Sequence, residues 1–566
     1  MKENNAAAAV AAAKSRKETV LSRRQIEGMI AEGRNILIFE GRVLKADAWM
    51  KFHPGGEKAI QHMVGKDATD EINALHSREA REHMLSFQIG RIEGGWINFL
   101  PPIQGGKFRL YNEDTVVDSD TSSQQSSRPP SPIFDKLDEK TGLRRRKSTS
   151  TSSVSSAATP PPAGPKATSD SEPKPFFLDA RTQQEIVLDI SKYPSLDQEY
   201  QDKIRARYRL LDEQIREAGL YQCNYFSYFI ECCRYTLFAG LAYLCLRSGW
   251  YGTSGFFLGC FWHQLVFTAH DAGHMGITHN FHVDTVIGII IADFLGGLSL
   301  GWWKRSHNVH HIITNSAEHD PDIQHLPFFA ISHRFFSNLR STYYDRILQF
   351  DAFAQFMLKY QNYLYYPILM FGRFNLYRLS WEYLIVGQGP KKGPAWWHRW
   401  LEIAGQVFFW IWFGYYVVYR SIPDASSRFL FIMISHMVTS PLHVQITLSH
   451  FAMSTADLGV HESFPQRMLR TTMDVDCATW LDWFHGGLQF QAIHHLFPRI
   501  PRHNLRSAQN LVLRFCEDTG IPYALFTFVD GNKEVISRLG DVAKQVRILE
   551  ECRKVCAQQG VFSDHH

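Results

Sequence analysis

Four stretches of the chain, 228–246, 250–269, 400–418 and 429–451, are almost continuously apolar. Each is about 20 residues long, the length of helix that a bilayer core demands. Their spacing predicts two helical hairpins, so that residues 301–395 and 452–566 return to one side of the membrane. Arg and Lys are frequent in those segments, which makes that side the cytosol. A fifth apolar stretch, 283–300, is Gly-rich and carries Asp284 and Asp293. It is expected at the membrane interface rather than across it. Residues 19–100 carry a different pattern. The run Asn35-Ile36-Leu37-Ile38-Phe39 meets a turn at Glu40-Gly41 and then Val43-Leu44, which predicts a hairpin. Short helices follow, broken at Pro54-Gly55-Gly56 and Gly65. Residues 105–175 are rich in Ser, Thr and Pro and poor in large apolar side chains. Such a segment buries too little surface to offset its chain entropy, so it is expected to be a disordered linker. Residues 1–18, with their Ala run, are expected to form a flexible extension, and 531–566 a mixed polar tail.

Composition narrows the classes. The 566 residues are 45% apolar and 20% charged, which excludes collagen, a coiled coil and a wholly disordered chain. Sixty basic against 56 acidic residues give a net charge of +4, too balanced for a nucleic-acid partner. The nine Cys include no Cys-x-x-Cys pair, so neither a disulfide framework nor a zinc ribbon is indicated. The run Arg144-Arg145-Arg146-Lys147-Ser148 is read as a solvated charge cluster.

The 26 His residues cluster, and the clusters carry the chemistry. His53, in His53-Pro54-Gly55-Gly56, precedes His76 by 23 residues. Two imidazoles from opposite walls of a cleft can fill both axial positions of a haem iron, leaving a centre that carries electrons. Pro and two Gly would fix the first His at a tight turn and let backbone approach the macrocycle. The ordered set resembles the cytochrome b5 fold over about residues 20–95. That resemblance implies a small α+β domain holding haem b between His53 and His76. Ile72 stands where Phe is common in that family and Trp49 where another aromatic or Leu is usual; both keep the pocket apolar.

Three further clusters are His270-Asp271-Ala272-Gly273-His274, His307-Asn308-Val309-His310-His311 and Gln491-Ala492-Ile493-His494-His495. Spacings of three and four put these side chains on one face of a helix. The first cluster ends the second apolar stretch, and all three fall on one predicted side of the membrane. Seven imidazoles with few nearby Cys suit redox-active iron better than structural zinc. Iron beside a bilayer points to oxygen chemistry on a lipid chain, supplied with electrons by the haem domain.

Together the motifs resemble front-end membrane fatty acyl desaturases with an N-terminal cytochrome b5 domain. Thr314-Asn315, Asp320-Pro321-Asp322-Ile323 and Leu496-Phe497-Pro498-Arg499 match as well. The resemblance covers about 20–95 and 200–530. It implies an all-α polytopic membrane domain, four transmembrane helices in two hairpins, under a cytosolic histidine-box di-iron cap. It implies two non-haem iron ions held by His270, His274, His307, His310, His311, His494 and His495, with molecular oxygen as co-substrate. His450, at the end of the last apolar stretch, matches a further ligand of related enzymes. Gln491 either ligates iron weakly or holds a water. His436 and His443 are expected to be structural, and His319, His325 and His485 to lie near the boxes without ligating. No Gly-rich dinucleotide loop follows a strand, so a separate NADH-cytochrome b5 reductase is the expected electron donor. The family resemblance places such an enzyme in the endoplasmic reticulum. Residues 350–356 and 365–368 look most like fungal Δ8 desaturases of the sphingoid base, so a ceramide is the expected substrate. The alternatives are a Δ6-type acyl-lipid desaturase, a histidine-box hydroxylase, and a membrane-anchored electron carrier without iron ligands.

Overall fold

The computed structural model describes residues 17–99, 107–108, 134–135 and 177–558. The expected flexible start and the Ser/Pro-rich linker with its basic run fall almost wholly outside the described residues.

The N-terminal unit is an α+β domain around a four-stranded sheet. Strands β1 (Val20–Leu21), β2 (Ile36–Phe39), β3 (Arg42–Lys45) and β4 (Gln88–Ile92) lie in the order β1-β4-β3-β2, with β1 parallel to β4. The β2–β3 turn places Glu40 at φ 49 and Gly41 at φ 71, the left-handed pair that a two-residue hairpin needs. Every residue of β2 is buried. Helix α1 (Arg23–Ala31) starts on a capping box, in which Ser22 and Gln25 satisfy each other's backbone N–H groups. Helices α2 (Glu57–Gln61), α3 (Thr69–Leu75) and α4 (Arg78–Met84) wall the other side. Thr69 ties α3 to the hairpin, because its hydroxyl accepts from the Glu40 N–H at 2.8 Å and donates to Asp67 at 2.6 Å.

The rest is mainly helical, with two-stranded pairings of Leu339–Ser341 with Arg346–Leu348 and of Asp474–Asp476 with Leu525–Thr527. Helices α5 (Phe177–Lys192) and α6 (Gln198–Glu217) are amphipathic and lead into α7 (Tyr225–Arg247) and α8 (Tyr251–Gly273). Helix α9 (Phe281–Ile289) continues to Leu295, and the chain then turns through 118° into α10 (Leu300–Ile312). Helix α11 (Gly372–Val386) precedes α12 (His398–Phe409), which runs on in a wider turn to Arg420. Helices α13 (Ala425–Met437), α14 (Ser440–Phe451), α15 (Phe464–Thr471), α16 (Gln491–Leu496), α17 (Leu505–Thr519) and α18 (Phe528–Gln558) follow, and shorter helices at Ala352–Lys359, Gln361–Leu369 and Asp482–His485 lie between them and α10 or within their run.

Three helical segments among the described residues are long and apolar enough to cross a bilayer: Tyr225–Arg247, His398–Arg420 and Ala425–Phe451. A fourth is reached only if the bent pair Phe281–Leu295 and Leu300–Ile312 counts as one broken span. Among the described residues the tally is thus three or four, beside the expected four in two hairpins. The stretch 250–269 does form a helix, α8, but His263, Gln264, His270 and Asp271 lower its apolarity. Helices α7 and α13 shield it, and its polar side chains are mostly buried. Apolarity all round is needed only where lipid is the neighbour.

The two acids of the fifth stretch are anchors. Asp284 accepts from the N–H groups of Ile277, Thr278 and His279, fixing the turn after His274. Asp293 accepts from Gln406 and from the Leu300 N–H at 3.3 Å, while Glu402 accepts from Ser299 and from the Gly301 N–H at 3.0 Å. Two buried carboxylates thus sit at the positive N-terminal end of α10. The sharp turn depends on Gly297, whose φ is 69 and whose added Cβ would meet the Phe409 ring at 2.4 Å. Gly297→Ala combines a disfavoured φ with overpacking and is expected to destabilise the fold by about 2–4 kcal/mol. A thermal melt of the detergent-solubilised protein, followed by size-exclusion fluorescence, measures it.

Candidate functional site

The haem expectation meets a direct test in the N-terminal domain. The rings of His53 and His76 lie 6.0 Å apart between centroids. An imidazole–metal bond of about 2 Å on each side, plus about 1 Å from nitrogen to ring centre, gives about the same separation. His53 Nδ1 meets the carbonyl of Gly56 at 2.8 Å and His76 Nδ1 that of Ile72 at 3.2 Å. A carbonyl only accepts, so both Nδ1 atoms donate and each Nε2 keeps its lone pair. Loss of hydration on burial is the leading cause that lowers both imidazoles, His76 to about 3, so both are neutral at pH 7. The residues present fit a bis-histidine haem. Ile72 and Met50 belong to the apolar cluster beside the pair, with Trp49 packed against it.

Eight imidazoles converge in the helical domain. The ligand atoms of His270, His274, His307 and His494 all lie within 4.8 Å of one another, and so do those of His310, His450 and His495. His311 stands between the two groups: its ring is 4.7 Å from His274, 4.8 Å from His494 and 4.3 Å from His495. Helix α8 brings in the first box, α10 the second, α14 His450 and α16 the third. The Nε2 atoms of His274, His494 and His495 are buried without a partner. Burying such groups is costly unless something binds them, and a metal ion does so. Lost hydration, reinforced by the neighbouring imidazoles, holds His494 and His495 well below the usual range, in the neutral form that ligates. Two groups of nitrogen donors side by side fit a pair of iron ions.

Other contacts set the orientation of these rings. His310 Nδ1 donates to Asp320 at 2.8 Å, which leaves Nε2 free toward the His450 Nε2 at 3.2 Å. His450 Nδ1 lies 3.4 Å from the Thr471 carbonyl. Asn315 takes the left-handed φ of 58, accepts nothing from Asp320 but donates its N–H to it at 2.7 Å, and bonds the His450 carbonyl at 2.8 Å through Nδ2. One loop thereby joins the second box to the end of α14. Asp320→Asn removes the charge that fixes the His310 tautomer. A loss of about 10–100-fold in iron affinity is expected, read by titration with a chelator. Asp271, next to His270, is held by the Tyr228 hydroxyl at 2.5 Å and by Arg502, which also pairs with Glu231.

Gln491 is buried at the start of α16, one turn ahead of His494 and His495. The remaining histidines lie elsewhere. His436 stacks on Phe374 and His443 packs against Gly372. His319 faces His62 of the N-terminal domain, His325 lies by Phe451, and His485 by Phe528. None of these five joins either group of ligating atoms among the described residues.

The two constellations touch. Ile312 and Ile313, at the end of α10, complete the apolar cluster that contains Met50 and Ile72. Lys58 pairs with Asp345 at 2.5 Å, His62 Nε2 meets the Thr342 hydroxyl at 2.9 Å, and Arg209 bonds Asp70 at 2.8 Å. A Cβ on Gly55 would lie 2.7 Å from Asn308 Nδ2 and 2.9 Å from the His53 ring. A side chain at this close approach would have to displace one of them. The turn that carries His53 thus abuts a residue inside the second box. No local pattern marks this interface, because its pairs lie 139 to 287 residues apart.

Comparison with known proteins agrees with this geometry. The fatty acid desaturase family model matches residues 248–527, and the cytochrome b5-like haem/steroid binding domain model matches 22–93. A Delta 8-(E)-sphingolipid desaturase of Emericella nidulans is 74% identical over 550 residues, covering 97% of this chain and 99% of that protein. The chain belongs to the fatty acid desaturase family. A Kluyveromyces lactis protein of the same description is 50% identical over 553 residues, 97% of this chain and 96% of its own length. A Delta(8)-fatty-acid desaturase of Helianthus annuus is 37% identical over 350 residues, 60% of this chain and 74% of its own. As a family member with these apolar helices, the desaturase is an integral membrane oxidoreductase. Its cytochrome b5-like domain implies haem and its family implies paired iron.

Proposed function

We propose that the chain introduces a double bond at Δ8 of the long-chain base of sphingolipids such as ceramides. The support is a 74% identical relative of that description, aligned along nearly the whole of both chains. Residues 19–100 act as the haem module and 200–530 as the catalytic domain. His270, His274, His307, His310, His311, His450, His494 and His495 hold two irons, and Gln491 lies close enough in sequence to contribute a weak ligand or position a water. When bound, the irons supply the oxygen activation that an unactivated methylene pair requires. The overall balance removes two hydrogens from the lipid and reduces oxygen to two waters, with two protons from solvent and two further electrons supplied by way of the haem module.

The chain's own residues do the positioning. Asp320 keeps the proton on His310 Nδ1, Asn315 fixes the end of α14, and Asp293 and Glu402 hold the start of α10. The contact of Gly55 with Asn308 gives electrons a short path from haem to box. The cytosolic face of the endoplasmic reticulum, and NADH-cytochrome b5 reductase as donor, follow from the same reading.

The test is expression in a host that lacks the activity, with analysis of ceramides after cleavage at the new double bond. Loss of two hydrogens, with cleavage at C8 of the base, is expected. A gain of one oxygen would make the enzyme a hydroxylase, and a Δ6 fatty acid would move it to acyl lipids.

A further inference from the structure

A cavity of about 850 Å³ opens where α18 meets α14. Val444, Phe484, Phe528 and Ile536 are among its apolar walls, and Ser440 and Ser537 supply hydroxyls. The Asn532 amide is taken up by Tyr366 and the Phe528 carbonyl, and Lys533, the one charged side chain in the lining, is paired with Asp530 at 2.9 Å. No carboxylate lines it. That lining suits a long hydrocarbon chain bearing an uncharged hydroxyl and amide head. Exposed aromatic side chains lie on the segments around it: Tyr366 itself, Tyr363 at 71% exposure, and Trp480 and Trp483. Such rings mark the level of the membrane interface, so the occupant arrives from the bilayer. The wall from Phe528 onward lies beyond the residues matched to the family, which end at 527.

Both walls lead to the imidazoles. Phe484 stacks on His263 at 5.1 Å, and His263 meets Phe267 one turn on at 5.2 Å. His270 follows on the same helix face, about 10 Å from His263 along the axis. On the other wall, Val444 and His450 are less than two turns apart on α14. Between them Gln445 is 3% exposed, yet neither its Oε1 nor its Nε2 has a partner, and the Ser449 hydroxyl one turn on is also unpartnered. Buried polar groups of this kind call for a partner, and although neither lines the cavity itself, Gln445 directly follows Val444, which does.

We infer that this cavity, walled on one side by α18, is the mouth through which the sphingolipid's long-chain base reaches the irons, its path continuing behind the Val444 wall to Gln445 and Ser449, which bond its hydroxyl and amide groups. The inference rests on the Δ8 reading above and adds the site. Helix α18 is then part of the substrate-binding surface, and Gln445 is a positioning residue.

The experiment uses the full chain in phosphatidylcholine nanodiscs and a ceramide with a diazirine in its long-chain base. Photolabelling is expected on the segment 528–538 and around Phe484, and a diazirine phosphatidylcholine is expected to leave both unlabelled. Ser537→Trp, at an exposed position, narrows the cavity without disturbing the core. It should raise the KM for ceramide about tenfold and suppress the label, with the Soret band and iron content unchanged. Gln445→Leu should raise KM more than it lowers kcat. Label confined to other segments, equal labelling by phosphatidylcholine, or unchanged KM in both variants would overturn the site. A wild-type chain that is labelled here yet leaves ceramide unmodified would instead overturn the Δ8 reading while supporting the site.

Discussion

His311→Ala is expected to strip the protein of both irons and to abolish desaturation. His311 is 1% exposed and its ring lies within 5 Å of rings from both groups of ligating atoms. Its Nε2 is also 3.0 Å from that of His307. Removing it opens a hole between the two sites rather than at the edge of one. The activity loss should exceed the roughly 100-fold that follows from disturbing a residue behind a ligand. Iron analysis of the purified variant, with product analysis alongside, checks it. Full activity with two irons retained would remove His311 from the proposed ligand set.

His53→Ala or His76→Ala is expected to abolish haem binding and NADH-driven turnover while leaving the irons in place. The cluster beside the pair is shared with α10, but the sheet and a second core of Ile26, Ile30, Ile36, Ile38 and Val43 hold the domain by themselves, so losing one axial ligand is expected to leave the helices that carry the boxes in place. The Soret band should vanish, iron content should stay at the wild-type level, and NADH-driven product should fall to background. Unchanged turnover would take the haem module out of the electron route.

Much of this was legible in the sequence, because the chemistry depends on residue types that are rarely clustered by chance. His53 with the Pro54-Gly55-Gly56 turn, and the three boxes at helix spacing, mark their own sites. His450 is suggested only by its position at the end of an apolar stretch, which matches a ligand of a resembling family. The membrane tally was less legible. Helix α8 keeps polar side chains that other helices cover, and Asp284 and Asp293 look like obstacles to burial until their backbone partners are known. Asp320 was visible as part of a motif, but its bond to His310 was not. Helix α18 looked like a tail from residue 531 onward. Its spaced Val535, Leu539, Val542 and Val546 in fact join the core that contains Leu448 and Phe451. That stripe was present in the sequence, and only its partner was hidden.

The docking of the N-terminal domain on α10 changes how the enzyme meets other haem proteins. A tethered module works at an effective concentration of about millimolar. A free cytochrome b5 at micromolar level therefore loses the competition for the ledge formed by Asn308, Ile312 and Ile313. Supplementing the intact enzyme with it should leave the rate untouched, and a haemless variant whose domain still docks should stay inactive with the same addition.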